Sequence, residues 1–299
     1  MAYTSGDTIL DNHYNDFATS VNAIWGSGSG DKGYGQTNTV SSVSAGTTVT
    51  ASQWTTLLAR ITSAANHQSS SITSISNPSA GDTISAYAAL SGNISTITTN
   101  RLNVHARDSI SESSCSTTTT LTGTIEQRGT WAWGSEAQAR YFFNAGGRLR
   151  VRWDLTGHTS DSKANEWNNL AAACGNFYIY AQSSGKSGGS GSASTNNGNA
   201  GWHDMTGSYV TYFQQYEDTG PYTASNIQLE YYKTGGSVLF RSKWNDAAAD
   251  QTSYNKNIYN VLDQVDGTKL TYFGHEEPTT TYISDTWGNG PSQTVNANG

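Results

Sequence analysis

The hydrophobic period of this sequence changes once, near Val104, and that change limits the folds open to the chain. Upstream, apolar residues recur every three or four positions. Downstream they alternate, or gather in short β-branched and aromatic runs. The upstream part is also repetitive. Ser5-Gly-Asp-Thr-Ile9 returns as Ser44-Ala-Gly-Thr-Thr-Val49 and again as Ser79-Ala-Gly-Asp-Thr-Ile84. Ile9, Tyr14, Phe17 and Val21 follow Gly6 at the same offsets as Val49, Trp54, Leu57 and Ile61 follow Gly46. After Gly81, Tyr87, Leu90, Ile94 and Ile97 keep helical spacing in a shifted register.

Each copy therefore predicts a polar turn, one buried β-branched residue and an amphipathic helix. Thr50-Ala-Ser-Gln53 fits a capping box, with Val49 placed as the hydrophobic staple, and Asp11 and Ser85 are the caps expected of the other two helices. A single apolar face is too narrow to stabilise one copy alone. The stripes must cover one another within the chain or meet around a multimer axis. The expected assembly core is Ile9, Tyr14, Phe17, Val21, Val49, Trp54, Leu57, Ile61, Leu90 and Ile94. Residues 26–46 and 67–79, rich in Gly, Ser, Thr and Asn, read as linkers.

Residues 102–120 are polar and read as an inter-domain linker. Beyond them, strand patterns predominate: 117–127, 148–153, 176–180, 208–216, 226–232, 237–243, 270–274 and 280–284. Thr234-Gly-Gly-Ser237 has the composition of a two-residue hairpin turn. One helix is expected over 163–173, and 183–200 reads as a flexible loop or exposed insertion. The predicted fold class is α+β. Residues 1–105 form a repeated helical module for attachment and oligomerisation. Residues 106–299 form an exposed antiparallel β-sandwich or jelly-roll-like domain.

Composition narrows the function. Only 13% of the 299 residues are charged, and the net charge is −7. Serine and threonine supply about a quarter of the chain, far above ordinary usage. Seventeen tyrosines and nine tryptophans argue against disorder. The acidic balance argues against nucleic-acid binding. No secretory leader pattern opens the chain, and no apolar run approaches the roughly 18 residues of a membrane span. Cys115 and Cys174 do not form a CxxC; two free thiols are expected, with pairing as the alternative.

Patterns that suggest chemistry are weak. Gly185-Lys-Ser187 follows a strand, as in a phosphate-binding loop, but Tyr180 stands where that loop needs a glycine, and no helix pattern follows. Glu217, Asp218, Glu230, Glu276 and Glu277 are the candidates for a glycosidase pair. Their settings read as solvated turns, and as an exposed strand face for Glu230. The six histidines are scattered, without metal-ligand spacing. Trp202-His-Asp204 lacks a nucleophile motif. No catalytic, cofactor or metal site is assigned, and no enzyme is expected. Arg148, Arg150 and Arg152 are the sharpest local feature. Strand alternation puts them on one face, where like charges repel unless acids of a neighbouring strand or subunit pair with them.

Several segments resemble virion structural proteins of tailed bacteriophages, notably those of cyanobacteria and other aquatic hosts. They are residues 4–17, Asn22-Ala-Ile-Trp-Gly26, Lys32-Gly-Tyr-Gly-Gln36, Gln53–Ile61 and Tyr141–Leu149. The likeness spans most of the chain and is strongest over 1–105. It implies a tail or tail-fibre component that acts by assembly and contact, made in the host cytoplasm and located in the virion. The implied partners are further copies of the chain, as a ring or trimer, and other virion proteins. A host surface glycan is a further possible contact. Capsid decoration and host-glycan binding or cleavage are the alternative roles.

Overall fold

The computed structural model describes residues 11–80, 86–196, 200–218, 220–249 and 264–298. Ile9, Gly6, Gly81, Ile84 and Ser85 lie outside these residues. The described chain is a mixed α+β protein with five helices and two antiparallel sheets. It divides into two compact units. The first holds the residues up to Asp108, with 140–147 and 277–289; the second holds 109–139, 148–276 and 290–299.

In the first unit, α1 (Asp11–Trp25), α2 (Ala51–His67) and α3 (Tyr87–Thr99) pack pairwise against one another. The apolar stripes meet within one chain. Tyr14, Phe17, Val21, Trp54, Leu57, Ile61, Leu90 and Ile94 are all buried there, while Val49 is only partly covered. Tyr14 sets its ring edge-on to Trp54, with centroids 5.2 Å apart, and Phe17 lies 5.1 Å from Tyr87. α2 starts at the expected capping box: Thr50 Oγ1 accepts from the Gln53 amide, and the Gln53 side chain accepts from the Thr50 amide. Asp11 opens α1, and its carboxylate accepts from the Gly46 amide at 2.9 Å.

The linkers are fastened by amide side chains. Asn15 donates to the Val43 carbonyl and accepts from the Val43 amide; Asn22 does the same with Val40, and Asn93 with Thr73. Gln36 holds Ser284 in the same two-bond ring. Each side chain thus imitates a neighbouring strand for one residue of extended chain. The turn at 26–35 is closed by Arg140, which donates to the carbonyls of Lys32 and Ser27 at 2.8 and 2.7 Å. Gly33 has φ +97°, and a Cβ there would come within 2.3 Å of the Ser27 carbonyl oxygen, so only glycine fits.

The second unit contains both sheets. One runs β1 (Ser111–Thr117), β10 (Thr268–Glu276), β3 (Arg148–Thr156), β4 (Asn176–Ile179), β5 (Ser184–Ser187). The other runs β11 (Ser292–Asn298), β2 (Thr124–Ala132), β9 (Ser237–Asn245), β8 (Asn226–Thr234), β7 (Val210–Tyr216), β6 (Thr195–Asn196). Their inner faces meet through aromatic rings. Phe240 of β9 lies 3.8 Å from Phe273 of β10, and Trp153 of β3 stacks on Phe213 of β7 at 5.1 Å. A polar seam crosses the same interior. Gln127 donates to the Lys269 carbonyl and accepts from Trp244 Nε1, and Trp153 Nε1 donates to Ser242 Oγ at 2.7 Å. Gly129 leaves the space taken by the Phe240 ring; a Cβ there would lie 1.9 Å from it. The β8–β9 hairpin turns on Gly235-Gly236 with Thr234 opposite Ser237, and Gly235 has φ +52°.

Several sequence expectations need correction. The segment expected as a linker, 102–120, contains β1, whose polar outer residues hid its pairing to β10. The single strand expected over 117–127 is divided: Thr117 ends β1, residues 118–123 form the connection, and 124–127 open β2. Residues 280–284 lie in no strand and belong to the first unit. Short strands β5 and β6 lie inside the expected loop at 183–200. α4 (Glu136–Asn144) and β11 were not foreseen, whereas α5 (Ser162–Cys174) covers the helix expected at 163–173.

Candidate functional site

The outer face of the five-stranded sheet gathers the arginine stripe. β3 alternates without a break: Leu149, Val151, Trp153 and Leu155 are buried, and Arg148, Arg150 and Arg152 point the other way. Their carboxylate partners come from the two strands on one side. Arg148 meets Glu276, its register partner on β10, through Nε at 3.0 Å and Nη2 at 2.7 Å. Arg150 and Arg152 share Glu112 of β1, at 2.6 and 2.8 Å. Glu112 is two strands away from β3, and the reach is possible because Gly274 stands between it and Arg150 in the register. Glycine there leaves that one position of β10 without a side chain of its own. Each of the three arginines thus has a carboxylate partner within one chain, with two carboxylates serving three guanidiniums.

Tyrosines complete the face. The Arg148 guanidinium lies 4.1 Å from the Tyr178 ring centre, and that of Arg152 lies 3.5 Å from the Tyr272 ring centre. Tyr180 donates no charge of its own but takes a hydrogen bond from Arg148 at 3.4 Å. Burial pushes the Glu112 carboxyl up, yet hydrogen bonds and charge from Arg152 and Arg150 outweigh it and hold the group below the usual carboxylate range. The face is therefore a set of partly covered rings and ion pairs in which each arginine holds a carboxylate before any partner arrives.

The outer face of the second sheet is built on the same plan. Glu230 is buried, contrary to the exposed strand face expected of it. It accepts from Arg241, from Lys243 at 2.9 Å and from Gln228 at 2.8 Å. Burial pushes its carboxyl up, and Lys243 and Arg241 bring it below the ordinary range. Arg241 also covers the Tyr209 ring at 4.3 Å, and Tyr209 packs edge-on against Tyr232.

The other acids singled out in the sequence are scattered over both units. Glu277 accepts from Trp287 Nε1 at 2.8 Å, and Glu217 is buried beside Ser225, whose carbonyl takes the Glu217 amide proton. Asp218 is exposed. Lys186, the lysine of the phosphate-loop-like run, lies on β5. It donates to the carbonyls of Ser190 and Gly191 and to Gln215 Oε1, tying down the glycine-rich segment after it. Trp202-His203-Asp204 forms a single 3-10 turn. Cys115 and Cys174 are both free and buried. Among the described residues no group of three or more His, Cys, Asp and Glu side chains is placed to hold a metal ion, and no helix is long and apolar enough to cross a membrane.

Glu112 and the three tyrosines were missed as members of this face. Glu112 lay in the segment read as linker, but a stripe of three arginines on one strand face implies an acid on a neighbour. Tyr178 and Tyr180 alternate with Phe177 and Ile179, which was legible. Compared with known families, with curated proteins and with solved structures, the chain matches none.

Proposed function

We propose that this protein is a structural component of a tailed-bacteriophage virion, a part of the tail or its fibres that works by assembly and contact. The observation that carries the reading is the arginine–tyrosine sheet face. Its three arginines are already ion-paired within the chain, so covering them with another protein surface strands no unpaired guanidinium. The low charged fraction of the whole chain and the likeness of residues 4–61 to virion proteins support the same conclusion. The helical unit serves as the attachment module, and the matched triplets Tyr14, Phe17, Val21 and Trp54, Leu57, Ile61 mark α1 and α2 as two copies of one repeat. The β-rich unit is the displayed domain. The pairing of β1 with β10 and of β2 with β9, early strands beside late ones, supports reading this domain as jelly-roll-like.

Further copies of the chain, in a ring or trimer, are the expected first partners. Imaging purified particles with an antibody fragment against the β-rich unit should place label on the tail. Particles that contain none of this chain would overturn the proposal. Label over the whole head, with hundreds of copies by densitometry, would favour capsid decoration instead. Retention on a host-glycan column would add the glycan role.

A further inference from the structure

We infer that Lys163 and Asp246 become joined covalently, by an amide between lysine Nζ and aspartate Cγ. Lys163 lies in the first turn of α5, and Asp246 directly follows β9. Lys163 Nζ is 2.8 Å from Asp246 Oδ2, and the two side chains are 0% and 4% exposed. Every other ion pair among the described residues has at least one partner 18% exposed or more. The surroundings are aromatic. The Tyr222 ring centre is 5.8 Å from Nζ, and Trp167 of α5 stacks on Trp244, two residues before Asp246.

Such a pair is poised for condensation. Two opposite charges in a dry interior gain little over their neutral forms. Transfer of one proton along the 2.8 Å hydrogen bond gives a free amine beside a carboxylic acid, the two forms that react. Ser225 Oγ donates to Asp246 Oδ1 at 3.2 Å, the oxygen that carries negative charge when nitrogen adds to Cγ. Nζ then bonds to Cγ and the Cγ–Oδ2 bond breaks. Oδ2 leaves as water with two of the three ammonium protons, and the third stays on the amide nitrogen. Oδ1 becomes the amide carbonyl and keeps its bond from Ser225. No oxidant or cofactor is needed, and holding the groups together supplies an effective molarity of about 10⁵ M or more. Lys269 shows the contrast: its Nζ is ringed by the carbonyls of Thr119, Val265, Asp266 and Gly267, and it forms no ion pair with a carboxylate among the described residues.

The bond does not depend on where the chain sits in a virion, so its test is separate. The purified full-length protein, denatured and weighed intact after prolonged incubation, should be lighter than its sequence by one water. Its proteolytic digest should contain a branched peptide joining Lys163 to Asp246. K163R should recover the full sequence mass. A wild-type chain at full mass, or a water loss that persists in K163R, would overturn the inference. If K163R does not accumulate, the wild-type digest decides alone, since the branched peptide is either there or absent.

Discussion

Trp54 carries the helical unit at a single position. Its ring is buried against Tyr14, whose own side chain is fully enclosed. Trp54→Ala opens a cavity that three short helices have little means to collapse, so it should cost about 3–5 kcal/mol of stability in a denaturant titration. Because the residue is interior to one chain, any loss of assembly in this variant follows from loss of the unit. His67 is the second residue whose environment makes a measurable forecast. Burial pushes its imidazole down to about 4, helped by His105 and resisted by the hydrogen bond to the Ala145 carbonyl. The unfolded chain binds this proton near pH 6.5 and the folded chain does not until about pH 4. Stability is therefore full above pH 6.5 and falls between 6.5 and 4, by about 3 kcal/mol at the lower end. Unfolding midpoints measured across that range should drop in the wild type and stay flatter in His67→Gln.

Among the elements, the asparagine clamps explain how a chain so rich in linker residues holds a definite shape. Asn22 on α1 spends both its donor and its acceptor on Val40, as Asn15 does on Val43. Asn22→Ala removes two hydrogen bonds and leaves the Val40 backbone to water, a loss of about 1–2 kcal/mol. Hydrogen exchange should show the Val40 amide losing protection while amides in the middle of α2 keep theirs. The helices that these clamps serve were legible in the sequence, because apolar residues at helical spacing and a capping box are local signals. β1 was not. Ser111–Thr117 has little hydrophobic alternation, and it is a strand because β10 offers it a ladder and Glu112 finds two arginines. The acid at Glu230 failed for a similar reason: strand alternation correctly put it on the outer face, but alternation says nothing of the Arg241 and Lys243 side chains that cover it there.

For the molecule as a whole, the small charged fraction has a structural counterpart. Arg148 pairs with Glu276, Arg150 and Arg152 share Glu112, Glu230 binds Arg241 and Lys243, and Lys163 with Asp246 forms a buried pair. Much of the charge present is thus consumed inside the chain, and hydroxyl and amide groups make up the difference. By itself the sequence determined the helical first part, its cap and its apolar stripes, the alternation of β3 and the glycine hairpin, since each depends on residues a few positions apart. Only the tertiary structure decided that the stripes cover one another within one chain, that residues 140–147 and 277–289 join the helical unit, and that Glu112 serves two arginines. Those outcomes depend on pairings between residues far apart in sequence, whose selection rests on strand register and side-chain reach.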